Sequence, residues 1–229
     1  MSNPYFKFKQ FTVWHDKCAM KVGTDGVLLG AWTLVESAHR ILDIGTGTGL
    51  VALMLAQRSL PDANIVALEI DEAAVGQARE NIIRSPWKER VEVVQADFKK
   101  YRSSDKFDVI VSNPPYFVDS LECPDRQRAA ARHNDSLTYE DLLEGVSGLL
   151  AEDGFFTMVI PADVAERVKK IAYMRKLYAV RQLNVITKPG GIPKRVLITF
   201  SFSNQECIGP SCNSWGIKFS QFPSCIYLC

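Results

Sequence analysis

Apolar and polar positions follow two different periods between residue 40 and about residue 202. Short apolar runs of the length and composition of buried strands occur at residues 41–44, 64–70, 91–95, 107–112, 155–160, 181–187 and 195–202. Between several of them the apolar positions recur every three or four residues, which predicts helices over 50–58, 72–84 and 139–150. Strands that alternate with helices are typical of a mostly parallel sheet covered on both faces.

Capping residues mark the predicted helix ends. Asp71 predicts the start of the second helix, and Ser136 or Thr138 predicts the start of the third, which Gly154 follows. Asp163 predicts the start of a last helix, whose inward-facing positions are Val164, Val168, Ile171 and Met174.

The last two predicted strands are separated by a short segment, Lys-Pro-Gly-Gly-Ile-Pro-Lys, which is too short for a helical crossover. We therefore expect these strands to be antiparallel neighbours at one edge of the sheet. The fold class is α/β, with a doubly wound, seven-stranded, mostly parallel sheet that ends in an antiparallel hairpin.

The chain divides into three parts in this reading. Residues 1–39 form an N-terminal extension, in which Phe6, Phe8, Phe11 and Val13 predict one strand interrupted by a bulge. Residues 40–203 form the main domain. Residues 204–229 form an atypical tail that contains four of the six cysteines. Their spacing does not match the paired ligands of a zinc site, so we expect no metal.

Composition narrows the functional class only slightly. The formal net charge of the 229 residues is +1, which does not by itself require a polyanionic partner. No apolar run is long enough to cross a bilayer, and the N-terminus lacks the apolar core of a signal peptide. These features predict a cytoplasmic protein without a membrane partner, and no obligatory protein partner is evident.

A glycine-rich turn, Asp43-Ile-Gly-Thr-Gly-Thr-Gly49, follows the first strand of the main domain. Its spacing differs from the G-x-G-x-x-G of dinucleotide sites, which weighs against NAD. Glu69 ends the next strand about 20 residues later, where an acid can accept hydrogen bonds from ribose hydroxyls. Without that context Glu69 reads equally well as a solvated acid at a strand end.

Asp97 and Phe98 follow the third strand of the domain, at the edge where ligands of parallel sheets bind. Asp97 could accept a hydrogen bond from an adenine amino group, and Phe98 could pack on the ring. A simple loop or capping role for Asp97 is as good a reading when the residue is taken alone.

The fourth strand runs directly into Asn113-Pro-Pro-Tyr116. Proline lacks the backbone N–H that a sheet ladder needs, so the strand must stop at Pro114. Taken alone, the segment reads as an ordinary turn. When it follows a strand of a nucleoside-binding sheet, the segment instead predicts two fixed hydrogen-bond acceptors beside an aromatic ring.

These motifs, in this order, resemble those of the class I S-adenosylmethionine-dependent methyltransferases, specifically the branch that methylates planar amines. The segment from Cys18 to Trp32, which contains Lys-Val-Gly-Thr-Asp-Gly, is similar to the N-terminal signature of the bacterial valine-tRNA (adenine-37-N6)-methyltransferases. The resemblance covers about residues 5–203. It implies a Rossmann-like fold, S-adenosylmethionine as cofactor and tRNA as substrate.

The resemblance also implies roles for individual residues. The expected cofactor-binding residues are Lys21, Gly23, Thr24, Asp43, Gly45, Gly47, Glu69, Ile70, Asp97, Phe98 and Asn113. The expected catalytic residues, which would hold the target amine, are Asn113, Pro114 and Tyr116. Because the Lys21–Gly26 segment would lie against the methionine end of the cofactor, the N-terminal extension is expected to cover the cofactor.

Basic residues near the predicted pocket are candidates for phosphate contacts. We expect Arg126, Arg128, Arg132 and Lys194 to contact the substrate RNA. Basic residues on the last helix, such as Lys169, read better as solvated charges.

Other functions stay open at the level of sequence. Methylation of rRNA guanine N2, DNA adenine N6 or a protein glutamine N5 would use the same planar-amine motif, and a non-catalytic RNA-binding relative would keep the fold. The last 26 residues depart from the family pattern, and an altered reading frame near the end of the coding sequence is a hypothesis that would explain them.

Overall fold

The computed structural model describes residues 3–18, 21–114, 137–187 and 190–204. The strands β1 to β9 within these ranges are Tyr5–Lys7, Thr12–Trp14, Arg40–Ile44, Asn64–Glu69, Val91–Gln95, Phe107–Ser112, Leu150–Pro161, Tyr178–Val185 and Arg195–Ser201. The helices α1 to α5 are Thr24–Trp32, Leu50–Arg58, Glu72–Ile83, Tyr139–Leu149 and Ala165–Tyr173. No helix in the described ranges combines the length and the apolar character that crossing a membrane requires.

A seven-stranded sheet forms the centre of the molecule, with the strand order β5-β4-β3-β6-β7-β9-β8. Strands β3 to β7 are parallel to one another, whereas β9 is antiparallel to both β7 and β8. The predicted α/β class, the mostly parallel sheet and the antiparallel hairpin at its edge are therefore confirmed. The strand order reverses between β3 and β6, and ligands of such sheets bind at this kind of switch point.

Both faces of the sheet are covered, which explains why its strands read as continuous apolar runs. Ile41 and Leu42 are neighbours in β3 and neither is exposed, yet they belong to opposite apolar layers. Helices α1, α2 and α3 contribute to the layer around Ile41, and α4 and α5 contribute to the layer around Leu42. Successive side chains of a strand point to opposite faces. When both faces are covered, the strand sequence therefore does not alternate between apolar and polar residues.

Two of the predicted helix caps are present. The Asp71 side chain accepts a hydrogen bond from the backbone N–H of Ala74 at 2.8 Å, at the start of α3. Thr138 caps α4 in a reciprocal arrangement with Asp141. The Thr138 hydroxyl accepts a hydrogen bond from the Asp141 N–H, and the Asp141 carboxylate accepts one from the Thr138 N–H. The alternative cap, Ser136, lies outside the described residues.

The predicted boundaries of the strand after α4 are wrong at its start. Strand β7 begins at Leu150, directly after α4, and includes Gly154 instead of following it. A Cβ at residue 154 would lie 3.0 Å from the Asp108 carbonyl oxygen. The glycine therefore allows β7 to pair closely with β6, and it does not terminate the helix. Strand β8 likewise runs from Tyr178 to Val185 instead of over 181–187.

The predicted cap of the last helix is also wrong. A short 3-10 helix, Ala162–Val164, comes first, and α5 then begins at Ala165 without any side-chain cap. Met174, expected to face inward, is 81% exposed because the chain has left the helix there. Leu177, which is 1% exposed, enters the core in its place.

The N-terminal extension forms a hairpin and a helix, and the expected bulge is wrong. Strands β1 and β2 are antiparallel, with Tyr5 opposite Trp14. The Phe8 and Phe11 rings stack across the turn with their centroids 4.6 Å apart. Helix α1 follows and packs on α2 so closely that a Cβ at residue 30 would lie 2.7 Å from the Met54 sulfur. A glycine at this position therefore allows the two helices to touch.

Candidate active site

A cavity of about 640 Å³ lies at the carboxyl ends of the parallel strands. Its walls come from the N-terminal segment, from the glycine turn after β3 and from the ends of β4, β5 and β6. The described residues that line it include all the expected cofactor-binding residues: Lys21, Gly23, Thr24, Asp43, Gly45, Gly47, Glu69, Ile70, Asp97, Phe98 and Asn113. Residues far apart in sequence thus meet in one concave space.

The glycine turn leaves open space where side chains would otherwise stand. Gly45, Gly47 and Gly49 have φ values of 72°, 57° and 80°, in the left-handed region that favours glycine. A Cβ at Gly45 or Gly47 would meet nothing within 4 Å, and both residues line the cavity. A ligand can therefore approach the backbone of the turn closely, which fits the nucleoside cofactor that the motifs predict.

Asp43 holds the glycine turn from beneath. Its carboxylate accepts hydrogen bonds from the Thr46 hydroxyl at 2.6 Å and from the Ala52 backbone N–H at 3.1 Å. The residue is 1% exposed. Burial raises the pKa of the Asp43 carboxyl to about 7, although the two hydrogen bonds act in the opposite direction.

Glu69 joins the end of β4 to the same turn. One carboxylate oxygen accepts a hydrogen bond from the Gly47 N–H at 2.9 Å. The other oxygen accepts hydrogen bonds from the N–H groups of Ile70 and Asp71, at 2.8 and 3.0 Å. An ionised carboxylate has about four acceptor positions, so capacity for a hydroxyl donor remains.

Asp97 and Phe98 form the wall beyond β5. One Asp97 oxygen accepts a hydrogen bond from the Lys99 backbone N–H at 3.0 Å, and the Lys100 ammonium lies 3.8 Å from the other oxygen. The Phe98 ring is 6% exposed and rests against α4, where Gly145 leaves room for it. Phe98 is thus part of the core as well as part of the cavity wall.

Asn113 and Pro114 directly follow β6 at the switch point. Asn113 is half-buried and lines the cavity, and Pro114 is buried. The Ser112 hydroxyl donates a hydrogen bond to the Ile44 carbonyl at 3.1 Å, which ties the end of β6 to the end of β3. The structure therefore brings Asn113 beside the glycine turn. Tyr116 lies outside the described residues.

The expected RNA-binding residues are only partly accounted for. Arg126, Arg128 and Arg132 lie outside the described residues. Lys194 is exposed in the β8–β9 loop and is not among the residues that line the cavity. Its backbone N–H donates to the Val185 carbonyl at 3.0 Å, which closes the hairpin. The loop lies beside the carboxyl end of β7, on the side of the sheet where the cavity is found.

Sequence reasoning missed an ion pair at the cavity wall. Asp25, in the first turn of α1, lines the cavity and accepts a hydrogen bond from the Arg195 guanidinium at 3.0 Å. Arg195 begins β9, so the pair links the N-terminal helix to the last hairpin. The two residues are 170 positions apart, and no local pattern could have predicted their contact.

Cys18 also lines the cavity and was not predicted to do so. Burial, followed by the nearby carboxylates of Glu69, Asp71 and Asp16, raises the pKa of the Cys18 thiol to about 11. The thiol therefore stays protonated near neutral pH and is a poor nucleophile. The other cysteine that precedes the tail, Cys123, lies outside the described residues.

Comparisons with known proteins agree with this geometry. The family model described as "Methyltransferase small domain" matches residues 22–180. A tRNA1(Val) (adenine(37)-N6)-methyltransferase of Bacteroides thetaiotaomicron is 77% identical over 208 residues, which cover 91% of this chain and 88% of that protein. A protein of the same name from Bacteroides fragilis is 66% identical, with 90% of this chain and 88% of that protein covered.

Solved structures show the same fold at much lower identity. A predicted O-methyltransferase from Agrobacterium tumefaciens superposes with a TM-score of 0.61 and 20% identity, and covers 77% of this chain and 80% of its own. At this level of identity the match concerns the architecture alone. The architecture of the sheet is therefore shared with that solved structure.

Proposed function

The chain belongs to the family of tRNA1(Val) (adenine(37)-N6)-methyltransferases, and from this premise we infer that it transfers a methyl group from S-adenosylmethionine to N6 of adenine 37 in tRNA1(Val). The observation that carries the inference is the 77% identity to a relative of that name along 91% of the chain. The cavity supports it, because its walls hold each residue that the motifs predict for the cofactor.

We propose the following cofactor contacts. Glu69 accepts from the ribose hydroxyls, and Asp97 and Phe98 hold the adenine. Gly45 and Gly47 leave room for the cofactor backbone, and Asp43 holds their turn in place through its hydrogen bonds to Thr46 and Ala52. Ile70 contributes apolar wall beside the nucleoside, and Lys21, Gly23 and Thr24 cover the methionine end. When bound, the cofactor supplies an electrophilic methyl group on a sulfonium.

Asn113 and Pro114 act on the target amine in this proposal. The exocyclic nitrogen of adenine is a poor nucleophile because its lone pair is delocalised into the ring. The Asn113 side-chain oxygen and the Pro114 carbonyl each accept one N–H of the amine, which directs the lone pair outward and stabilises the positive charge that develops on nitrogen. Proline restricts the backbone, so both acceptors are in place before the base arrives.

Tyr116 and the basic residues complete the substrate side. Tyr116 stacks on the adenine, which must leave the RNA stack to reach the cavity. Arg126, Arg128, Arg132 and Lys194 contact the phosphates of the tRNA. The exposed position of Lys194 at the ligand edge of the sheet supports its part of this proposal. A cytoplasmic location follows from the substrate, because tRNA is modified where it is made and used.

Methyl transfer from labelled cofactor into tRNA1(Val) transcripts, followed by nucleoside mass spectrometry, tests the function. We expect N6-methyladenosine with wild-type protein and none when guanine replaces adenine at position 37. Asn113→Ala should lower kcat by about 100-fold or more and the affinity for S-adenosylhomocysteine by only about threefold, because Asn113 borders the cofactor but acts mainly in the transition state.

Asn64→Ala is the matched control, since the Asn64 side chain is an exposed amide whose hydrogen bond reaches only the nearby Asp62 carbonyl. Label that appears in rRNA, DNA or protein, but not in tRNA, would contradict the proposal. Full activity of Asn113→Ala would contradict the role of that side chain.

A further inference from the structure

Asn81 is a polar residue in α3 that is completely buried and lies outside the cavity lining. Burying an amide is costly unless its polar atoms are paired. Both polar atoms of the Asn81 side chain are paired, through three hydrogen bonds to backbone groups that are 33 and 67 positions away in sequence. These three bonds indicate that Asn81 fixes the position of distant chain segments relative to α3.

Two of these bonds go to one residue of the N-terminal hairpin. The Asn81 side-chain oxygen accepts from the Trp14 N–H at 2.9 Å, and its nitrogen donates to the Trp14 carbonyl at 2.8 Å. The side chain thereby pairs with Trp14 much as a neighbouring strand would. The Arg84 guanidinium, 5.5 Å from the centre of the Trp14 ring, adds a second contact between α3 and β2.

The third bond reaches the glycine turn. The Asn81 nitrogen also donates to the Thr48 carbonyl at 2.8 Å. Thr48 lines the cavity and stands between Gly47, whose N–H donates to Glu69, and Gly49, the N-cap residue of α2. One buried amide therefore connects the hairpin with the turn that borders the cavity.

The chain beyond the hairpin follows the same face of α3 toward the cavity. The Lys17 N–H donates to the Gln77 side chain at 3.0 Å, and the Lys17 ammonium pairs with Glu80. Gln77, Glu80 and Asn81 lie three and four positions apart, on one side of the helix. Cys18, the next residue, lines the cavity, and so do Lys21 and the start of α1.

We propose that Asn81 is a positioning residue for the cofactor site. Through Asn81, the docking of the N-terminal hairpin contributes to the free energy of cofactor binding. Among described residues 3–18 only Cys18 lines the cavity, so the hairpin acts through Asn81 and not by contact. Ligand binding that orders the turn around Thr48 strengthens the docking of Trp14, and docking of Trp14 strengthens ligand binding, because such coupling is reciprocal. The inference rests on the assignment of the cavity to S-adenosylmethionine.

Hydrogen exchange of the full-length protein tests the coupling without any catalysis. In the wild type, saturating S-adenosylhomocysteine should slow exchange at the Trp14 amide by about fivefold or more, beside the expected protection of the glycine turn. In Asn81→Ala the protection of the turn should remain and the protection of Trp14 should disappear. The affinity for S-adenosylhomocysteine should fall about tenfold, which corresponds to about 1.4 kcal/mol.

Steady-state kinetics adds a readout that a purely structural role would not move. Asn81→Ala should raise the KM for S-adenosylmethionine about tenfold, with kcat at saturation and the KM for tRNA within about twofold of the wild type. Gln77→Ala is the matched control, because Gln77 is equally buried and holds the same segment, while its side-chain oxygen accepts from the Lys17 N–H and does not reach the turn. It should keep the affinity for S-adenosylhomocysteine within about threefold of the wild type.

Three outcomes would overturn the inference. They are an absence of Trp14 protection in the wild type, an affinity of Asn81→Ala within about twofold of the wild type, and equal losses in Asn81→Ala and Gln77→Ala. The first needs no variant, so it holds even if Asn81→Ala does not fold. Failure of the wild-type protein to bind S-adenosylhomocysteine at all would instead overturn the cofactor assignment, and this inference with it.

Discussion

At the scale of single residues, the buried carboxyl of Asp43 has the clearest physical consequence. It is almost inaccessible to water, and its pKa is about 7 in the folded protein against an ordinary value of 3.8. Between these two values the folded chain keeps a proton that the unfolded chain releases. The free energy of unfolding therefore falls as the pH rises from about 4 to about 7, and this contribution then levels off.

Asp43→Asn should remove this pH dependence, since an amide keeps a hydrogen-bond acceptor but does not titrate. Relative to the variant, the wild type should lose up to about 4 kcal/mol of unfolding free energy over the same pH range. Urea denaturation at a series of pH values measures the difference. Asp153→Asn, at an exposed position of β7, is the control. Parallel stability curves for wild type and Asp43→Asn would show that Asp43 does not titrate in this range.

Local order along the chain was enough to predict most of the cavity wall. Glu69 ends a buried strand, and Asp97 and Asn113 each follow one. Parallel strands bring their carboxyl ends to one side of the sheet, so these side chains had to converge. The Asp25–Arg195 pair could not be predicted in this way. Its partners belong to a helix and a strand whose relative position depends on the packing of the whole sheet.

At the scale of secondary-structure elements, the fit of α4 against the cavity wall depends on one glycine. A Cβ at Gly145 would lie 2.5 Å from the Phe98 ring, closer than real Cβ atoms approach a neighbour. A Cβ at Gly148, in the same helix, would meet nothing within 4 Å. The two positions thus form a matched pair for substitution by alanine.

Gly145→Ala should displace Phe98 and weaken the binding of S-adenosylhomocysteine severalfold, with a loss of about 1–3 kcal/mol in the free energy of unfolding. Gly148→Ala should instead stabilise the protein by about 0.5–1 kcal/mol, because alanine loses less conformational entropy in a helix. Calorimetric binding and thermal denaturation measure both effects. Equal behaviour of the two variants would mean that Phe98 can shift without cost.

Elements with a strong pattern were predicted closely, and weakly patterned elements were missed. The predicted bounds of α2, β5 and β6 are confirmed, because each combines an apolar run or period with clear breaks. Helix α1 has no such signal. Its residues from Gly26 to Gly30 are all buried, so no polar face repeats, and glycine itself disfavours a helix. Close packing on α2 overrides that propensity.

At the scale of the whole molecule, the net charge of +1 means that attraction to RNA must come from local groups. Each phosphate contact by a basic side chain displaces condensed cations. The logarithm of the affinity therefore falls with the logarithm of the salt concentration, and the slope is proportional to the number of contacts. Four basic residues of the proposed interface are Arg126, Arg128, Arg132 and Lys194.

Lys194→Ala should reduce the slope of log affinity against log salt by about one, and Arg128→Ala with Arg132→Ala should reduce it by about two. Filter binding of tRNA1(Val) at several salt concentrations measures the slopes. Lys169→Ala is the control, since its ammonium already pairs with Glu166 in α5 at 2.8 Å. An unchanged slope in the interface variants, or an equal change in the control, would contradict the proposed contacts.

The reversal of strand order between β3 and β6 divides the ligand edge of the sheet into two territories. The turns after β3, β4 and β5 line the cavity from one half, and Asn113 lines it from the other half, to which the β8–β9 loop also belongs. We therefore expect that changes confined to the β8–β9 loop alter the choice of nucleic acid and leave the turns that line the cavity in place.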